Sequence, residues 1–244
     1  MNPGLVVFFY YGLNLASKLA LSSLTGRPMG LFGEATDGIL ASPEFVPVPV
    51  GTEIAWTSTG QLETVVRQVK DMTLAAQSLV AGHSQSDLET SLEPTSWSVA
   101  QCLDHLALTT IAFVPAISNA IARAPRLGTD RPLTTGVLTR LLIRNLEPPY
   151  RLRFRVPPPL APDHRDFKWA WSAFEESQTR LAKTIGSAAG LAIDRVKITS
   201  PVPGRFSHNA YGGLLMLTAH QRRHLWQIDR LLNCLTTSVR NASC

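Results

Sequence analysis

Two histidines, His220 and His224, lie four residues apart in an apolar segment near the end of the chain. In a helix, side chains at this spacing project from one face with Cβ atoms about 5–6 Å apart, close enough to bind one metal ion. A third histidine, His105, lies in another segment with a helical pattern. Three neutral imidazoles leave coordination positions open for water or substrate, as in catalytic metal sites. Half-buried histidines that hydrogen-bond across helices can have the same spacing, so the spacing alone does not establish a metal site.

Helices must position these histidines, because apolar residues recur every three or four positions in four segments. In the second segment Ser98 and Gln101 form a capping box, and Trp97 is placed to pack on Cys102 as a hydrophobic staple. Pro115 is expected to bend this helix. The predicted helices cover residues 61–79, 98–120, 167–189 and 209–235, with Gly190 as a left-handed cap of the third.

The inward stripes of the second and fourth helices carry the three histidines. A buried imidazole that loses its partner costs about 1–3 kcal/mol, and a shared metal ion would satisfy all three rings. The stripes are Cys102, His105, Leu106, Thr109, Phe113, Ile117 and Ala120 in the second helix, and Leu214, Leu217, His220, His224, Ile228 and Leu231 in the fourth.

The connection between the second and third helices is long. It contains a short apolar helix, Val137–Leu146, an alternating segment RLRFRV and a proline-rich run. Four helices with one long crossover predict an all-α fold, a four-helix bundle whose sites lie between facing helices. We assign this bundle to residues 61–238.

Residues 1–60 form an N-terminal extension and linker that we expect to be poorly ordered. Its apolar stretch, residues 5–16, is shorter than the roughly 20 residues of a membrane span and lacks the basic start of a secretory signal. A helix packed on the domain or on a partner, and a weak membrane anchor or signal, are the alternatives. No membrane association is expected.

Composition excludes several classes of protein. Apolar residues make up 45% of the 244 residues and charged residues 17%, which excludes intrinsic disorder throughout. A net charge of +5 is low for a nucleic-acid binder, so no nucleic-acid partner is expected. The three cysteines form no CxxC pair, which predicts neither a disulfide framework nor a thiolate zinc site and favours the reducing cytoplasm.

The histidine segments resemble a known family. The run WSVAQCLDHL, residues 97–106, is similar to the second helix of the DinB-like superfamily, and residues 200–231, with AHQRRHLWQ, are similar to its last loop and fourth helix. With FEESQTRL between them, the likeness spans residues 62–235. In that family one histidine of the second helix and an HxxxH pair of the fourth bind a divalent metal, and these positions match His105, His220 and His224.

The resemblance also implies a function. It implies one divalent metal ion, such as zinc or nickel, a small-molecule substrate that includes a low-molecular-weight thiol in some relatives, and thiol-transferase or hydrolase chemistry. A homodimer is among the assemblies it implies. The alternative is a non-enzymatic helical bundle in which the histidine cluster, with or without a metal, is structural or mediates dimerisation.

Other polar residues have simpler interpretations. Cys102 could be a fourth ligand, but packing as a small hydrophobe is favoured. Gln101, Asp104 and Gln221 could orient a metal-binding imidazole through its other ring nitrogen, but we favour capping or solvent exposure for each of them. His83, His164 and His208 are expected to be solvated in loops, although His208 could approach a substrate. Arg222, Arg223 and Trp226 are expected to lie on a solvated face of the fourth helix. The eight arginines from Arg123 to Arg155 are expected to lie in a solvated connection and not to form an anion site.

Overall fold

Helices dominate the part of the chain that the computed structural model describes, which is residues 57–149, 155–163, 166–201 and 207–242, with side chains described up to residue 236. This confirms the all-α prediction. The apolar stretch of the N-terminal extension, residues 5–16, lies outside the described residues, so the predictions for it stay untested. The described helices are α1 (Ser58–Val80), α2 (Gln85–Glu89), α3 (Val99–Ala122), α4 (Val137–Leu146), α5 (Phe167–Gly186) and α6 (Ala210–Ala242).

Two short strands, which the sequence analysis did not predict, precede α6. Strand β1 (Lys197–Thr199) pairs antiparallel with β2 (Ser207–Asn209), so that Ile198 lies opposite His208. Each strand has three residues, too few for an alternating pattern to be detected. Two 3₁₀ turns, Pro158–Leu160 and Ile193–Arg195, complete the described elements.

The helix starts follow the predicted capping chemistry. The Gln101 backbone N–H donates to Ser98 Oγ over 3.2 Å, and the Ser98 N–H donates to Gln101 Oε1 over 3.0 Å. This reciprocal pair is the capping box, and it determines where α3 begins. At α5, Asp166 accepts from the Trp169 N–H. The short α4 has the bounds that its apolar pattern predicted.

The predicted ends of α5 and α6 need correction. Helix α5 ends at Gly186, because the Ala188 and Ala189 N–H groups that follow donate to the carbonyls of Ile185 and Gly186, three residues back instead of four. Gly190 is left-handed, with φ 72°, but it belongs to the turn that follows, not to the end of the helix. Helix α6 continues to Ala242, beyond the last residue of its predicted apolar stripe.

Of the four long helices, α1 and α3 each pack on both α5 and α6, and α4 packs on α6. Their shared core is aliphatic and aromatic, and burying each such side chain contributes about 1.5–3 kcal/mol. The predicted inward stripes are buried, apart from His220, which is half-buried. Fully buried core side chains include Leu103, Leu106, Ile117, Phe174, Leu181, Ile185, Leu225 and Ile228.

Helix α3 has the length and low charge of a membrane-spanning helix, and half of its most apolar window is buried inside the fold. Core helices of soluble proteins share these features. The buried face of α3 packs on α5 and α6, so a core role accounts for its apolar composition.

Candidate metal centre

The structure brings the three predicted histidines together between α3 and α6. The Nε2 atom of His220 lies 3.2 Å from His105 Nε2 and 3.2 Å from His224 Nε2. One ring nitrogen from each histidine lies within 4.8 Å of the other two. His105 and His224 are buried, at 3% and 7% exposure. Three imidazoles from two helices therefore converge on one point.

Neighbouring acceptors determine which ring nitrogens carry protons. His105 Nδ1 lies 2.7 Å from the carbonyl oxygen of Leu160, and a carbonyl only accepts, so Nδ1 is the donor. His224 Nδ1 lies 3.1 Å from Gln227 Oε1 and is a donor for the same reason. In the neutral rings both Nε2 atoms then present lone pairs toward His220.

A metal ion fits this arrangement better than hydrogen bonds do. His220 Nε2 carries at most one proton, so it can donate to only one of the two lone pairs that face it. Two nitrogens that bind one ion at about 2.0–2.1 Å in tetrahedral geometry lie about 3.3–3.4 Å apart. The two nitrogen pairs that include His220 are close to this, at 3.2 Å, and the His105 and His224 nitrogens lie within 4.8 Å of each other. A divalent cation would satisfy all three lone pairs, so the residues present fit the implied metal.

The electrostatics keep the three rings neutral. Burial lowers the pKa of His105. Burial also lowers the pKa of His220 well below the usual value, and electrostatic repulsion from His224, His105 and Arg223 lowers it further. Burial, His105 and Arg223 lower the pKa of His224 to about 3. Neutral imidazole is the form that binds metals, so no proton has to leave these rings at neutral pH.

The indole of Trp97 packs against two of the three histidine rings. Trp97 lies 4.9 Å from the ring centroid of His105 and is stacked on His224 with centroids 5.8 Å apart and an angle of 23°. From the sequence, Trp97 was expected only to pack on Cys102 as a staple, and its contact with the histidine rings was not predicted. Its position just before the N-cap of α3 was visible, but its approach to His224 depends on how α6 packs.

The family of the chain follows from a comparison of its sequence with models of protein families. A model of the DinB superfamily matches residues 65–228, which include all three histidines. The chain belongs to the DinB superfamily. No curated protein and no solved structure matches it.

Two predictions about residues near the histidines of this DinB protein are confirmed. Cys102 is fully buried in the core and is not part of the converging group. Burial raises the pKa of its thiol to about 12, so it remains protonated and packs as a small apolar side chain. Gln101 caps α3.

Three residues of the DinB domain are buried, although capping or solvent exposure was expected for Asp104 and Gln221 and a solvated loop for His208. Asp104, at 1% exposure, accepts from the Asp163 N–H, and Gln221, also at 1%, donates to Thr110 Oγ1 over 3.3 Å. His208 is 5% exposed, and burial lowers its pKa. It is buried because β2 folds against the start of α6 at Gly213, where a Cβ would lie 3.3 Å from the His208 ring. His83 is half-buried in the turn after α1, and His164 lies outside the described residues.

The solvated face predicted for Arg222 and Arg223 is also wrong, since these side chains are 6% and 7% exposed. Helix α4 packs across α6, and Glu147, at the end of α4, forms an ion pair with Arg222. Trp226 is half-buried beneath the Arg230 guanidinium, 4.9 Å from its ring centroid.

Most of the arginines of the connection that the structure describes are exposed, and Arg131 forms an ion pair with Asp194. Arg131 forms two hydrogen bonds with Asp194, of 2.7 and 2.9 Å. Arg151 and Arg153 lie outside the described residues. The arginines confirmed as exposed are Arg123, Arg126, Arg140, Arg144 and Arg155.

The lowered histidine pKa values predict how stability depends on pH in the metal-free protein. Each histidine has a pKa near 6.5 when unfolded and a lower one when folded, so the unfolded chain binds more protons below pH 6.5. The free energy of unfolding should therefore fall from pH 7 to pH 5, by about 2 kcal/mol for each ring that stays neutral.

Urea unfolding of metal-free protein at both pH values measures this loss. The variant His220→Leu with His224→Leu is the control, because it lacks both rings and should lose much less stability over the same pH interval. Equal losses in the two proteins would contradict the prediction.

Proposed function

We propose that this DinB protein holds one divalent metal ion on His105, His220 and His224 and is a metal-dependent enzyme. The long helices α1, α3, α5 and α6 would form the family's four-helix bundle, with the ion between α3 and α6. The observation that supports the proposal is the convergence of the three Nε2 atoms, two of which have their proton held on the opposite ring nitrogen.

The donor set favours catalysis over a purely structural role. Among the residues that the structure describes, the converging group contains three neutral imidazoles and no carboxylate or thiolate, so it would leave the full charge of the ion and at least one coordination position for another ligand. When bound, a divalent cation supplies Lewis acidity and lowers the pKa of a water or thiol that reaches it. Zinc and nickel both suit imidazole donors.

The protein groups around the site would hold and shield the ligands. Leu160 and Gln227 keep a proton on Nδ1 of His105 and His224, so that Nε2 of each faces the ion. Trp97 is stacked on the His224 ring and packs at an angle against the His105 ring. Arg223 is buried, and its charge, which lowers the pKa of His220 and His224, would favour an anionic ligand such as a thiolate over a cation.

We propose a small-molecule substrate and a reaction of one of two types, transfer of a low-molecular-weight thiol to an electrophile or hydrolysis. In both types the nucleophile is a group whose proton leaves more easily near a cation. The cytoplasm, where such thiols stay reduced, is the proposed compartment, and a homodimer is the proposed assembly.

A cobalt substitution experiment tests whether the site has an open position. We expect metal-free protein to bind Co²⁺ with visible absorption bands typical of low coordination number, and cysteine, used as a small thiol, to add a thiolate-to-cobalt charge-transfer band. His105→Ala should abolish both signals. Bands that neither cysteine nor a small carboxylate changes, together with a large fall in Tm on metal removal, would favour the structural role instead.

A further inference from the structure

A proline-rich segment, residues 157–163, lies against the start of α3, where two adjacent α3 residues hold it. His105 Nδ1 donates to the Leu160 carbonyl over 2.7 Å. The Asp163 backbone N–H donates to Asp104 Oδ2 over 2.8 Å. The segment thus contacts a proposed ligand at one point and the residue before that ligand at another.

The segment is stiff. Its prolines restrict the backbone, and the N–H groups of Leu160 and Ala161 close a 3₁₀ turn onto Pro157 and Pro158, over 2.9 and 3.2 Å. The Leu160 side chain is 7% exposed and anchors the turn in the fold. A stiff, anchored turn presents its carbonyl in one direction, which is what fixing the tautomer and orientation of an imidazole requires.

Asp104 is in the right place to hold this segment and in the wrong place to bind the ion. It is 1% exposed, yet the group of donor atoms that converge in the described residues contains His105, His220 and His224 and no carboxylate. Neighbouring residues of a helix point about 100° apart, so Asp104 and His105 contact the segment from different sides.

We infer that Asp104 is a positioning residue for the metal site: its carboxylate holds residues 157–163 on α3, which keeps the Leu160 carbonyl on His105 Nδ1 and directs the His105 Nε2 lone pair toward His220 and His224. The part of this inference that concerns metal affinity rests on the proposed function. The part that concerns the His105 tautomer does not.

The test weakens the hold on residues 157–163 in two independent ways. Asp104→Leu removes the acceptor, and Leu160→Ala removes the side-chain anchor of the segment without changing α3. Asp104→Asn keeps an oxygen that can accept from the Asp163 N–H. Asp194→Asn is the matched control, since Asp194 is also a buried carboxylate that holds a loop, by accepting from Arg131 and the Thr134 N–H.

Two measurements are made on the full chain. The first is the Zn²⁺ dissociation constant, from competition with a chromophoric chelator. We expect it to rise about 10–100-fold in Asp104→Leu and Leu160→Ala, as when a ligand loses its orienting partner, with most of the affinity kept in Asp104→Asn and all of it in Asp194→Asn. The second is the imidazole ¹⁵N spectrum of metal-free protein, in which His105 should show protonated Nδ1 in the wild type and a tautomer mixture in the two weakened variants.

The outcomes separate this inference from the proposed function. If the wild type binds no Zn²⁺ while the tautomer changes as expected, the proposed function fails and the positioning role of Asp104 stands. If the wild type binds Zn²⁺ and both weakened variants keep its affinity and the Nδ1–H tautomer, the inference is overturned. Should Asp104→Leu not fold, Asp104→Ala, which removes the same acceptor with a smaller side chain, decides by the same criteria.

Discussion

Replacing His220 and His224 together with alanine is expected to reduce the metal content of the purified protein from about one divalent ion per chain to background. The two rings supply two of the three converging nitrogens, and one imidazole alone holds a divalent ion weakly. If metal-binding energies of about 10–16 kcal/mol are spread over four ligands, losing two costs about 6 kcal/mol, or roughly 10⁴-fold in affinity.

Elemental analysis of protein purified without a metal-affinity step measures this loss. His83→Ala is the matched control, because His83 is half-buried in the turn after α1 and does not belong to the converging group. Circular dichroism shows whether each variant keeps its helices. Equal metal content in the wild type and the double variant would disprove the site.

The second large effect concerns the ion pair between α4 and α6. Arg222 is 6% exposed, and its Nε lies 3.0 Å from Glu147 Oε2, while its Nη1 lies 3.4 Å from Gln68 Oε1 of α1. Glu147→Ala would leave a buried guanidinium without its carboxylate, and breaking a buried pair in this way costs about 3–5 kcal/mol. We therefore expect the free energy of unfolding to fall by about that amount, while metal content stays unchanged.

Urea unfolding measures the effect, and the chain contains a matched control. Glu176 and Arg180 form the same type of pair on the surface of α5, with side chains 64% and 62% exposed, so Glu176→Ala should cost less than about 1 kcal/mol. Replacing both buried partners, Arg222→Met with Glu147→Leu, should restore much of the lost stability, because no unpaired charge remains. Similar losses at Glu147 and Glu176 would contradict the buried-pair argument.

The unchanged metal content is a separate expectation from helix geometry. Arg222 is two residues from both His220 and His224, about 200° around α6, so it projects from the opposite side of the helix. A loss of stability without a loss of metal would show that α4 supports the fold and not the ligands.

Local sequence signals accounted for the elements that carry the site. The capping box of Ser98 and Gln101 located the start of α3, and the apolar spacing located α4 and the inward stripes. These features depend on hydrogen bonds and periodicities within a few residues, so they can be read without knowing what packs on them. The three histidines were singled out in the same way, from inward positions on two helices and from the resemblance to the DinB-like superfamily.

Contacts between distant segments could not be derived in this way. His105 and His220 are 115 residues apart in the chain, and the contacts of Leu160 with His105 and of Trp97 with His224 join segments that no short-range pattern relates. The capping or exposure predicted for Asp104 and the exposure predicted for His208 and Arg222 were wrong, because residues 157–163, the strand pair β1–β2 and α4 bury these side chains. Periodicity shows which side of a helix is apolar, but burial of a polar side chain depends on which other segment packs over it. That is a property of the folded chain, in which covering segments supply the hydrogen bonds and charges that make such burial favourable.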